Sequence, residues 1–295
     1  MKHCNLCGRA VNENESRLFP RKSKPHSKGL LVCADCERTK PRCAVCQTPM
    51  LVDRAEFGIC ANCIREGLRC RSCGVRINGK FLMVNGNEGP YCEKCFRQYA
   101  QCDLCGVPVG KDGVLYEDGR MICARCHQTA IVDPQIANTL FEQVVDILEK
   151  SLGLRLVVRP RLAVVDHVRL VELARTPAAQ TGHDSERALG LFMRVGRKRF
   201  IYLQEFLPRI LFIQVAAHEF AHAWQGENCP LMDDPMLREG FAEWAAYHVL
   251  LELDAKKKVE QMLVRRDLYG QGLHHFVEIE KQGGRAGVLQ FCKST

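Results

Sequence analysis

Apolar positions fall into two regimes along the chain. Up to about residue 127 short apolar stretches are punctuated by cysteine pairs; beyond it they recur with helical or strand periods. Residues 135–152 carry Ile136, Leu140, Val144, Ile147 and Leu148, spaced for one face of an amphipathic helix, and Pro134 suits its first turn. The Val- and Leu-rich stretch Arg155–Val165 predicts a strand. Residues 189–195 and 199–204 predict two more, joined by a Gly196-Arg197 turn. A long helix is expected from about Pro208 to Gly226 and another from about Pro235 to Leu253. Further helices are expected over 255–268 and 272–292, with a break at Gly283-Gly284. The fold class that follows is α+β: tandem zinc modules of LIM-like or zinc-ribbon type, then a domain with a small sheet and a helical half.

The front of the chain is organised by cysteine. Sixteen of the 18 cysteines form eight Cys-x-x-Cys pairs: Cys4/Cys7, Cys33/Cys36, Cys43/Cys46, Cys60/Cys63, Cys70/Cys73, Cys92/Cys95, Cys102/Cys105 and Cys123/Cys126. The gaps between pairs are 25, 6, 13, 6, 18, 6 and 17 residues, an alternation that marks an internal repeat. Two residues between cysteines let a tight turn aim both sulfurs at one ion, and a hairpin-length stretch returns a second pair to complete a tetrahedral Cys4 site. Modules this small need the metal to fold. Four structural zinc ions over residues 1–127 are expected, with sequential pairing favoured by the regular six-residue linkers over a RING-like interleaved pairing. Gly8, Gly74 and Gly106 suit the turn after the first pair, and Val32, Ile59, Tyr91 and Ile122 are expected to pack each small core. His3, His26 and His127 fall outside the repeat and are not expected to be ligands.

Charge and compartment follow from the same residues. The formal net charge is +8, and all of it lies in residues 1–127, with 21 Lys+Arg against 13 Asp+Glu. Sixteen thiolates holding four Zn²⁺ bring that region to about zero, so the basic excess is not a nucleic-acid signature. Only Arg21–Lys28 clusters basic residues, and a nucleic-acid partner is not expected. No run is long enough to span a membrane, no signal-peptide core follows Met1, and the varied cysteine spacings of a secreted disulfide framework are missing. A cytoplasmic location is expected.

The chemistry lies in His218-Glu219-Phe220-Ala221-His222. On a helix, positions i and i+4 share a face, so both histidines reach one metal. Glu219 lies about 100° around and reaches water beside the metal without being a ligand. A catalytic zinc needs a third protein ligand and an open position. Glu239, 17 residues after His222 in Arg238-Glu239-Gly240-Phe241-Ala242-Glu243, supplies it from an antiparallel second helix. Glu243, one turn on, is placed to accept an imidazole N–H; the reverse assignment, Glu243 as ligand and Glu239 as helper, is the alternative. Cys229 and Cys292 read as small buried hydrophobes, with a cysteine-switch inhibitor as the rival role, and Trp224 and Trp244 as packing between the two helices.

The HExxH-plus-Glu arrangement resembles the gluzincin peptidases, and Glu239-Gly240-Phe241-Ala242 the Asn-Glu-Gly-Phe-Ala stretch of aminopeptidase N-like enzymes, with Arg238 in place of the Asn. Most of residues 135–292 is more specifically similar to the plant growth-limiting, ubiquitin-activated peptidases with LIM-like domains, on Leu207-Pro208-Arg209, Ala217-His218-Glu219, His222-Ala223-Trp224, Glu239-Gly240 and Tyr269-Gly270-x-Gly272. The order of parts is the same. LIM modules usually carry a His in the second pair and two residues between paired fingers; here all 16 ligands are Cys and the linkers have six residues. The resemblance implies a zinc metallopeptidase domain over 128–295, hydrolysis of regulatory protein substrates, and zinc modules that recruit partners or restrain the site. Ubiquitin-interacting helices precede the LIM region in that family; here the first zinc pair lies at Cys4, so the chain reads as a reduced relative and a ubiquitin requirement is left open.

The expected mechanism is general-base hydrolysis by Glu219 beside a zinc held by His218, His222 and Glu239. Tyr247, two turns from Glu239, is the first candidate for a second oxyanion donor, with His248, Tyr269, His274 and His275 as rivals. The strand near Lys198–Gln204 is a candidate to hold substrate as an added strand. An N-terminus-binding Gly-x-Met-Glu-Asn motif does not precede His218, which favours endopeptidase activity. The alternative function is a protein-binding zinc scaffold with little or no peptidase activity.

Overall fold

Each zinc module is built the same way, and the backbone shows why. The first cysteine pair closes a turn in which the residue after the second Cys donates its N–H to the carbonyl of the first: Gly8 to Cys4, Gln47 to Cys43, Gly74 to Cys70 and Gly106 to Cys102, at 2.7–2.9 Å. That residue has positive φ in all four modules, 76°, 59°, 72° and 71°. Three modules use glycine there; the second holds Gln47 in the same left-handed conformation. The second pair opens a short helix, Ala34–Thr39, Ala61–Glu66, Glu93–Gln98 or Ala124–Gln128, whose N-cap is the first Cys of that pair. Two-stranded hairpins join the pairs, as in Ser16–Phe19 with Leu30–Cys33. Val32, Ile59, Tyr91 and Ile122 are all buried, as their position before the second pair predicts.

The computed structural model describes residues 2–12, 15–19, 29–51, 55–56, 59–84, 88–176, 188–229 and 231–295; the basic run at 21–28 lies outside them. Two compact units make up the chain. One comprises Met1–Cys102 and Gly106–Asp112, the other Asp103–Cys105 and Gly113–Thr295. Most of the fourth module is thus counted with the second unit.

In the second unit, helix α1 (Pro134–Ser151) is followed by strand β1 (Arg161–Val165), helix α2 (His167–Ala174), strands β2 (Gly190–Val195) and β3 (Lys198–Gln204), and helices α3 (Arg209–Asn228), α4 (Pro235–Glu252), α5 (Lys256–Leu263) and α6 (Leu268–Ser294). The sheet order is β1-β3-β2, with β1 parallel and β2 antiparallel to β3. Helix α3 lies at the centre, with Ala216, Ala217, Phe220 and Ala221 fully buried, and it packs on α4, α1 and the sheet. Trp224, Phe241 and Trp244 stack between α3 and α4, and Phe276 of α6 meets Phe241 edge-on, with neighbouring ring centroids 5.2–5.8 Å apart. Trp224 and Trp244 therefore do join the site helices. Among the described residues, no helix is long and apolar enough to cross a membrane.

Three expectations change. The first strand is Arg161–Val165 only; upstream of Pro160 the chain leaves the sheet, and the Val157 N–H donates to Glu227 Oε2 at 2.9 Å. Helix α2 was not expected; Asp166 caps it by accepting the Arg169 N–H at 2.8 Å. Helix α6 begins at Leu268, earlier than expected, capped by Asp267, and its break falls at Gly284 (φ 64°) where the glycine pair predicts one.

Candidate metal centre

Sixteen sulfurs gather into four groups: Cys4, Cys7, Cys33 and Cys36; Cys43, Cys46, Cys60 and Cys63; Cys70, Cys73, Cys92 and Cys95; Cys102, Cys105, Cys123 and Cys126. The pairing is sequential, and the interleaved alternative is set aside. Recorded Sγ–Sγ separations are 3.7–3.9 Å. A tetrahedron with Zn–S of about 2.3 Å has edges of about 3.8 Å, so the sulfurs fit zinc and are too far apart for disulfides. Burial alone would raise the Cys4 thiol, but backbone N–H groups of Cys33, Cys7 and Leu6 more than offset it and bring its pKa to about 6. All four positions of each site are filled by cysteine, so these sites hold structure. His127 is no ligand: its Nδ1 lies 2.9 Å from the Tyr116 hydroxyl.

The fifth group is His218, His222 and Glu239. Helix α3 presents the two histidines one turn apart, and α4 brings Glu239 against them. His218 Nε2 lies 3.0 Å from His222 Nε2 and 3.1 Å from Glu239 Oε2, and His222 Nε2 lies 3.5 Å from that same oxygen. Edges of about 3.3–3.4 Å follow from a tetrahedral zinc with ligand bonds of about 2.0–2.1 Å. The outer nitrogens are also engaged. His218 Nδ1 lies 3.4 Å from Glu243 Oε1, and His222 Nδ1 lies 2.8 Å from Gln225 Oε1. Both partners are acceptors, so each Nδ1 carries the hydrogen and the two Nε2 lone pairs face each other across 3.0 Å. That arrangement asks for a cation between them. Without a metal a proton would serve: burial depresses the His218 pKa, but Glu239 and Glu243 more than reverse this and lift it to about 10. Burial disfavours a Glu239 carboxylate, yet the two histidines hold its pKa well below the usual range.

Glu219 is buried, and desolvation raises its pKa; His218 and His222 oppose the rise and Glu239 adds to it. The Phe192 backbone N–H donates to it. Strand β2 lies alongside: a Cβ on Gly190 would come within 2.9 Å of Glu219 Cγ and 2.4 Å of Val215 Cγ1. Glu243 stands where the spacing placed it, also accepting from Gln214 Nε2 at 3.4 Å and lying 3.6 Å from Arg265 Nη1.

Several candidates are not brought to the metal group. Tyr247 packs on His248, with ring centroids 5.2 Å apart, and its pKa is raised by burial and by Glu280. His248 Nε2 lies 2.8 Å from Glu280 Oε2, which also accepts the Trp244 indole N–H. His274 Nε2 lies 2.9 Å from the Leu263 carbonyl, and His275 stacks edge-on against Phe276 and Phe291. Strand β3 is central and paired on both sides, so it cannot take an added strand; among the described residues β2 is an edge strand, and its Gly190 lies beside Glu219. Cys229 and Cys292 are buried in the hydrophobic core, as expected of small apolar residues.

Two neighbours of the centre were not singled out. Gln225 joins His222 to α4 by donating to the Arg238 carbonyl at 3.0 Å. Arg265 lies over the Tyr269 ring, 4.8 Å from its centroid, and Tyr269 itself lies 6.1 Å from His218, ring to ring. Burial, Glu239 and Glu243 raise the Tyr269 pKa, so it stays a phenol and a donor. Its position follows from a close helix crossing. A Cβ on Gly240 would come 2.5 Å from the Gly272 Cα, so α4 and α6 touch backbone to backbone beside Glu239, and Tyr269 sits three residues before that contact on the same face.

Residues 70–131 match the LIM domain family model. The third and fourth modules are a LIM domain. No curated protein and no solved structure matches the chain. The matched residues end well before His218, so the His218/His222/Glu239 group rests on its own geometry.

Proposed function

We propose that the chain is a zinc-dependent peptidase acting on protein substrates, by internal cleavage, with its zinc modules serving to bind partners or to restrain the site. The observation that carries this reading is the pair of imidazoles with hydrogens fixed on Nδ1 by Glu243 and Gln225, Nε2 atoms converging with one carboxylate oxygen of Glu239, and Glu219 adjacent but outside that set. Three protein ligands leave a tetrahedral ion one position for water or substrate. His218, His222 and Glu239 would hold zinc, which supplies Lewis acidity for activating water and polarising a carbonyl.

The remaining work falls to the chain's own residues. Glu219, held by the Phe192 N–H, takes the proton of the attacking water and returns it to the leaving amine. Tyr269 is the better-placed donor to the oxyanion, in preference to Tyr247. The edge of β2 offers main-chain groups to an extended peptide, which would then run past Glu219. Glu243 and Gln225 hold the imidazoles in the right tautomer. A LIM domain in the same chain fits recruitment of a protein partner.

Metal analysis and cleavage of an unfolded protein, measured on one preparation, test the reading. Wild type should carry about five zinc ions, four in Cys4 sites and one in the His-His-Glu site, and should produce new internal termini. Glu239→Ala should carry about four and produce none. Cleavage persisting at four zinc ions would remove the assignment.

A further inference from the structure

The fourth zinc module has contacts that a free-standing finger does not need, and they converge on one stretch of chain: residues 204–209, which lead from the central strand β3 into the metal-bearing helix α3. Tyr116 packs edge-on against Phe206, with centroids 5.2 Å apart, and its hydroxyl meets His127 of the module's short helix. Phe206 is one of three described non-glycine residues with positive φ, at 58°, so the link turns sharply where the tyrosine covers it. Arg120 is buried, pairs with Asp118 at 2.6 Å, lies over the Tyr116 ring, and reaches the Glu205 carbonyl at 3.5 Å. The residues just after Cys126 then run beside the link: the Ile131 N–H donates to the Leu207 carbonyl, Ala130 bridges Pro208, and the Arg209 N–H, the first of α3, donates to the Thr129 carbonyl at 3.0 Å.

A second route enters from the other side of the module. Leu104, between Cys102 and Cys105, packs into the hydrophobic core of the second unit.

We infer that the fourth zinc module is a clamp on the metal-bearing helix, with Tyr116 and Arg120 as positioning residues, so that zinc bound by Cys102, Cys105, Cys123 and Cys126 controls zinc binding at His218, His222 and Glu239. The first module, which belongs to the other compact unit, serves as the control. The cell can then silence the centre by stripping or modifying a distant cysteine cluster, without touching a ligand of the centre itself. The inference rests on the His-His-Glu group binding zinc, and not on the reaction proposed for it.

The test uses the full chain, with Zn²⁺ as the probe and two readouts that need no cleavage: zinc retained against a competing chelator, and amide hydrogen exchange over 205–222. Tyr116→Ala should keep four tightly held zinc ions and release the fifth about tenfold more readily, the size expected for a lost outer support, with faster exchange at the start of α3. Tyr116→Phe, which keeps the ring on Phe206, should match wild type. Should Tyr116→Ala fail to fold, Tyr116→Leu keeps apolar bulk and carries the same expectation. Cys126→Ser should lose two zinc ions where Cys36→Ser loses one. A fifth zinc held as in wild type in the tyrosine variant, with unchanged exchange, overturns the inference, as does a Cys126→Ser protein that loses a single ion. If wild type holds no fifth zinc, the metal-site reading itself has failed, which is a separate result.

Discussion

At the scale of single residues, the centre divides into groups readable from spacing and groups that are not. His218 and His222 are four apart on a helix, and Glu219 follows the first; Glu239 and Glu243 repeat the one-turn interval on the next helix. Those relations are local and survive any packing of the two helices. Gln225 is equally local, three residues after His222, but a glutamine three residues past a histidine is common and carries no signal until its second bond, to the Arg238 carbonyl, is seen. Tyr269 and Arg265 depend on where α6 crosses α4, which no spacing reveals. Tyr247, two turns from Glu239, has its ring against His248. Gln225 yields a prediction. Gln225→Ala frees the His222 Nδ1 hydrogen and should weaken zinc binding at the centre about tenfold. The four Cys4 sites should be unaffected, and added zinc should restore activity. Equal zinc affinity in the variant, measured by chelator competition, would show that Gln225 does not orient His222.

At the scale of elements, the helices and hairpins with strong period were legible, and the departures have physical causes. Helices α1, α3 and α4 lie within two residues of their expected ends because Asp133 and Asp234 cap α1 and α4, and Pro208 precedes α3. Helix α2 is short, eight residues, and its cap at Asp166 directly follows a strand, which hides it. The Arg155–Val158 stretch is apolar enough for a strand but pairs with no strand among the described residues, and the Val157 N–H donates to Glu227 instead. In the modules, Gln47 takes the place of a glycine that the other three share. The Gly240–Gly272 crossing sets the distance between α4 and α6 and so the place of Tyr269. Gly272→Ala would put a methyl carbon 2.5 Å from the Gly240 Cα and 2.6 Å from the Met236 carbonyl oxygen. A destabilisation of about 1–3 kcal/mol is expected, read as a lower thermal midpoint of the second unit, together with a loss of activity larger than the loss of zinc. A stable, fully active variant would mean that the crossing can open at little cost.

At the scale of the whole molecule, two kinds of metal chemistry share one chain. Sixteen cysteines fill four closed sites, each placed at the N-terminus of a short helix whose amides favour thiolate, and these sites shape the modules. The fifth group uses imidazole and carboxylate, keeps a carboxylate beside it that is not a ligand, and lies against Ala217, Phe220 and Ala221 of the second unit's hydrophobic core, where charge interactions are stronger than in water. The neutralising effect of thiolate on the basic front of the chain leaves protein partners as the natural role for the modules, in line with the LIM domain over 70–131. What separates a working peptidase from a zinc scaffold is whether Glu219 moves protons. Hydrolysis of an unfolded protein by wild type and by Glu219→Gln, compared at equal zinc content, decides it. Wild type should cut, and the glutamine variant, which keeps the shape and every metal ligand but cannot accept a proton, should be slower by about 10²–10⁴-fold. Equal rates of cleavage by the two proteins, or no cleavage by fully zinc-loaded wild type, would contradict the account.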